Sequence, residues 1–190
     1  MEKYMLKFIS GIAINDALIR TAYKGDKNVV KEKINSSLIQ NMMKEYIDNI
    51  LDGREPDFKT VTDKIMFELN DSLFSFGNAQ KYVSMYVKYV YIMTYKHPEL
   101  RKHFNYHPAP MDSIMIKHIC DRLNNDTNVQ SVFSGKGKDF NKIVKLLKYC
   151  TWSNITKFDD AQFIAYQDAI KILAEIDNVN PIEYDYKNWK

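Results

Sequence analysis

Lys81 and Lys88 stand seven residues apart in FGNAQKYVSMYVKYVYIM, Phe76 to Met93, a stretch that is otherwise mostly apolar and aromatic. On a helix, offsets of three, four and seven return to one face, so Lys81, Ser84, Met85 and Lys88 share a stripe. Two readings follow. In one, both lysines snorkel from a half-buried helix into water. In the other, an amine is kept among Tyr82, Met85 and Tyr86, where its charged form is disfavoured and the neutral nitrogen can attack an electrophilic carbon. The second reading needs a partner acid. HPAPMDSIMIKHI supplies Asp112, after a Pro-rich turn and at a point where a helix begins. The ordinary role of Asp there is an N-cap that accepts bonds from exposed amides.

The remaining reactive residues are scattered. Cys120 and Cys150 are isolated, and His97, His103, His107 and His118 lack metal-ligand spacing, which argues against a zinc site and a disulfide framework. The first three histidines read as loop residues. Trp152, in CTWSNI, is a core residue or a pocket wall. Trp189 follows Asp185 by four positions, so the two share a face if the tail PIEYDYKNW is helical.

The elements that hold these residues are helices, because apolar positions recur at three- and four-residue spacing nearly throughout. A hydrophobic fraction of 45% with 13 Tyr and 10 Phe fills a core, and only 6 Gly and 5 Pro argue against disorder and a turn-rich β fold. The pattern runs over 3–23 and continuously over 28–51, and DGREPD then breaks it. A shorter helix covers 60–71, and SLFSFG turns into a helix from about Asn78 to Tyr95. KHPELRKHFNYHPAP is an irregular connection, and a helix follows from Met111 or Asp112 to Leu123. NNDTNVQSVFSGKGKD is the most loop-like stretch, followed by helices near 139–149 and 158–176 and a Pro-interrupted tail. The expectation is one all-α domain over 1–190, of seven or eight helices in two lobes. A cleft is expected between the first and last helices on one side and the middle helices on the other.

A net charge of +3 permits a nucleic-acid partner without demanding one. The start has no apolar stretch of signal-peptide length, and no run of about 18 apolar residues occurs. These features point to a soluble cytoplasmic protein with no membrane partner.

SFGNAQK entering a helix, followed by PAPMDSIMI, resembles the helix-hairpin-helix DNA glycosylase superfamily, and most nearly its archaeal 8-oxoguanine glycosylase branch. In that superfamily a hairpin with a Gly turn opens a helix bearing a nucleophilic lysine, and a Pro-rich segment delivers a helix-start Asp. A second lysine seven positions on, here Lys88, and the Pro181, Asp185 and Trp189 of the tail are similar to that branch. The likeness covers about Phe74 to Ile119 and the last ten residues. The usual two hairpin glycines are replaced by Ser75-Phe76-Gly77, with one.

The resemblance implies a glycosylase-like helical bundle with 60–125 as the hairpin and catalytic lobe. It implies a glycosylase and AP lyase acting on double-stranded DNA that carries a modified purine such as 8-oxoguanine, as a monomer without metal or cofactor. Lys81 would be the nucleophile, with Lys88 the other candidate, and Asp112 would steady positive charge on the sugar. Asp185, Trp189 and Trp152 would hold the extruded base. Gly77, Asn78 and Lys88 would meet the DNA backbone, joined by Lys136 and Lys138 if their loop is not simply solvated. One rival keeps the pocket as a non-catalytic module that sequesters a nucleotide or nucleoside. The other is an interaction protein whose two lysines are surface charges, with Lys81 and Asp112 far apart.

Overall fold

The computed structural model describes residues 3–19, 23–148 and 158–189. Among the described residues are eleven α-helices and no strand. They are α1 (Lys3–Ile19), α2 (Lys27–Ile34), α3 (Ser37–Leu51), α4 (Phe58–Leu69), α5 (Phe76–Met93), α6 (Pro98–Arg101), α7 (Ser113–Asn125), α8 (Thr127–Gly135), α9 (Phe140–Lys148), α10 (Asp160–Ile176) and α11 (Pro181–Asn188). No described helix is long and apolar enough to cross a membrane.

The count exceeds the seven or eight expected because four segments divide or fold further, one of them the connection expected to be irregular, which contains the short α6. The apolar run over 28–51 is interrupted at Asn35, and Ser36 caps a new helix by accepting from the Ile39 amide. The loop expected at 124–138 contains α8. Asp126 accepts from the Asn128 and Val129 amides, Val129 and Phe133 bury one turn apart, and Gly137 closes the segment at φ +69°. The tail is also a helix, with Asn180 capping it and Pro181 at its first position, where no amide is needed.

Two cores form. Residues of α1–α5 make the first, joined by Phe104; residues of α7–α10 make the second. The first helix therefore packs with the middle ones, unlike the division expected from the sequence, and residues 60–125 are shared between both cores. The seam runs between α5 and α7. Short α11 straddles it, sending Ile182 into the first core and Tyr184 into the second.

The connection between α4 and α5 is a tight turn in which Asn70, at φ +45°, adopts the left-handed conformation. Gly77 lies inside the first turn of α5 instead, buried and in ordinary helical geometry. The single glycine of SFG thus lies within the buried helix start rather than at the bend.

Candidate functional site

Helix α5 is buried along almost its whole length, and both lysines go inward with it. Lys81 is 8% exposed and Lys88 5%, so neither snorkels to water. Each charge has an acid. Lys81 Nζ lies 3.2 Å from Asp112 Oδ2, and Lys88 Nζ lies 2.5 Å from Asp185 Oδ2. Ion pairs this deep are costly to form and more costly to break on one side only.

Asp112 is the N-cap of α7, as its local sequence suggests: Oδ1 accepts from the Met115 amide at 2.9 Å. Its other oxygen also accepts from Trp189 Nε1, at 2.9 Å. The capping role and the pairing role coexist because one carboxylate has two oxygens. Trp189 in turn lies beneath the second lysine, with Lys88 Nζ 5.2 Å from the indole centroid. Lys81, Asp112, Trp189, Lys88 and Asp185 form one chain of contacts across the seam.

What aims Asp112 is the extended strap 109–112 before α7. The Gln167 amide bonds both the N–H and the C=O of Ala109, at 3.0 and 2.8 Å. Tyr166 donates to the Pro110 carbonyl at 2.7 Å. The Gln80 amide faces both backbone groups of Met111 at 3.5 Å. Side chains of α5 and α10 thus stand in for the strands that an extended segment would otherwise need. Gln80, Tyr166 and Gln167 escaped the sequence reading, since no spacing rule marks a side-chain amide that pairs with distant backbone.

Asp185 is fully buried, and its Oδ1 has no donor. Burial raises this carboxyl, while Lys88 pulls the other way, leaving it at about 6. An unsatisfied carboxylate oxygen at such depth is expensive unless something supplies an N–H.

The expected backbone-contact residues lie elsewhere than at the surface. Gly77 is buried. Asn78 accepts from the Ser75 amide and hydroxyl and donates to the Ala17 carbonyl at 2.9 Å, tying α5 to α1. Lys88 is committed to Asp185. Gly77 is enclosed within the helix start, and the side chains of Asn78 and Lys88 are spent on internal structure rather than presented to a phosphate. Lys136 and Lys138 pair with Glu175 and Asp168 on α10. Trp152 lies outside the described residues.

His107, read as a loop residue, is buried between the Tyr46 and Phe58 rings, and desolvation pushes it down to about 3. Its Nδ1 bonds the Pro108 carbonyl at 2.8 Å, which leaves Nε2 without a hydrogen. No family model, no curated protein and no solved structure matches this chain.

Proposed function

We propose that the chain is a DNA glycosylase with AP lyase activity, excising a modified purine through an imine on Lys81. A base inside a duplex is out of reach, so it must be extruded and recognised by its edges. The observation that carries the reading is the convergence of a buried amine, a carboxylate at 3.2 Å and an indole bonded to that carboxylate, drawn from three separate elements. Separate surface lysines would give no reason for this convergence.

The chemistry these groups offer is as follows. Lys81 Nζ gives a proton to the neighbouring Asp112 carboxylate and attacks the anomeric carbon as the bond to the base breaks; the base leaves with the bonding electrons and takes up that proton, which returns Asp112 to its charged form. The sugar passes through a cationic state, and the Asp112 carboxylate beside it stabilises that charge electrostatically. Ring opening gives the imine, and loss of a C2′ proton then expels the 3′ phosphate. Asp185 Oδ1 is an acceptor suited to a purine N–H, and Trp189 offers an aromatic surface beside it.

Borohydride trapping on duplexes bearing 8-oxoguanine and other modified purines tests this. A covalent adduct is expected with the native chain and none with Lys81→Gln. No adduct on any of these duplexes, or an equal one in the variant, ends the assignment. If free nucleosides or nucleotides raise the melting temperature and no adduct forms, the sequestering module takes its place.

A further inference from the structure

A polar cleft of 600 Å³ opens at the first turn of α11, away from Trp189. It lies between the end of α5, the α6 region, the last turns of α10 and the turn leading into α11, and has no part in the chemistry above. Its floor is Tyr91, whose hydroxyl donates to Glu183 at 2.9 Å and receives the Asn180 amide at 3.3 Å. The Arg101 guanidinium stacks on that ring at 4.5 Å. Its Nε is buried without an acceptor, and no ion pair among the described residues uses this arginine.

Lys102 and Lys171 line the same cleft, as do Asn105 and Asn178. Two acids also stand in the wall: Glu175 pairs with Lys136 at 2.5 Å, and Glu183 pairs with Lys187 at 2.8 Å while its other oxygen accepts from Tyr91 on the cleft floor. Three cations from two segments, one of them a stacked guanidinium with its edge unused, match a multiply charged oxyanion better than a single carboxylate.

We infer that this cleft binds a phosphate group, gripped by Arg101 with Lys102 and Lys171 beside it. The source can be a nucleic-acid strand or a small phosphate compound. Helix α11 carries the cleft at its first turn and Asp185 and Trp189 toward its last, a separation of about 12 Å along eight residues. At roughly 3.4 Å of rise per nucleotide in one strand, that is the reach to a phosphate about three or four nucleotides from an extruded base. The inference goes beyond the glycosylase reading, because holding phosphate here requires nothing of Lys81.

Two probes separate the sources: a duplex of ordinary bases, titrated at several salt concentrations, and inorganic pyrophosphate, read by thermal shift. Each is applied to the native chain, Arg101→Gln and Lys171→Gln. If a strand is the ligand, each variant binds the duplex about tenfold more weakly, with the salt slope reduced by about one. If a small compound is the ligand, pyrophosphate stabilises the native chain and not Arg101→Gln, whatever the duplex does. The site is overturned if both variants match the native chain with both probes, or if the native chain binds neither. Lys171 is exposed on α10, so its variant keeps the fold even should Arg101→Gln melt early. Duplex binding that survives while borohydride trapping fails would count against the glycosylase chemistry and leave the phosphate site standing.

Discussion

Trp189 carries more of the proposed chemistry than its terminal position suggests, since one indole both donates to Asp112 and lies beneath Lys88. Trp189→Phe keeps a ring but loses the N–H; adduct formation is expected to slow about tenfold, the worth of one hydrogen bond to a charged group, without loss of folding. Asp185→Asn leaves Lys88 buried without a counter-charge and should cost about 3–5 kcal/mol in urea denaturation. The same carboxyl sets a pH signature. Its folded value of about 6 is raised above its ordinary 3.8, so between those limits the native state holds a proton the unfolded chain has released. The stability it contributes is present at low pH and lost as pH rises through about 6. His107 has the opposite sign: lowered to about 3, it contributes stability present above about 6.5 and lost as pH falls through that window. The two slopes oppose each other between about pH 4 and 6, so His107→Phe should flatten acid destabilisation when unfolding is followed across that range. Lys81 and Asp112 can be singled out from type and spacing, while Asp185 and Trp189 are singled out by the family resemblance. The Lys88–Asp185 pair spans 97 positions, and only the fold reveals that each lysine has its own acid.

The strap 109–112 shows why positioning is harder to read than composition. PAP signals a turn and Asp112 a cap, but the bonds from Gln80, Tyr166 and Gln167 that keep the strap straight leave no periodic trace. Gln167→Ala orphans the amide and carbonyl of Ala109, and a loss of about 1–3 kcal/mol is expected by thermal melting. Adduct formation should fall with it, because Asp112 lies three residues further on. Tyr166→Phe, which removes one bond of this kind, should cost about 1 kcal/mol. The long helices were legible because their apolar stripes are long. The short ones were not: α8 and α11 owe their existence to the caps Asp126 and Asn180 and to burial against other helices, and a nine-residue polar stretch such as α8 reads as loop until its burial is known.

Across the molecule, the two cores explain where the site lies. α5 belongs to the first and α7 to the second, so the amine and the carboxylate meet only when the seam is closed. Ile182→Ala, which cuts α11 out of the first core, should cost about 2–5 kcal/mol. It should also expose the amides of α11 to hydrogen exchange before the rest of the chain opens. All-helical class was evident from periodicity alone. The partition into two cores was not, because it depends on which buried faces meet, and apolar spacing is silent about partners. One consequence concerns how such a protein can change. Asp185 and Trp189 ride on the segment that fastens its halves together, and swapping that segment for another would unglue the whole. On the proposed glycosylase reading, new preferences for one base over another must therefore arise from the strap, from α5, or from outward positions such as Tyr186, while the fastening itself stays as it is.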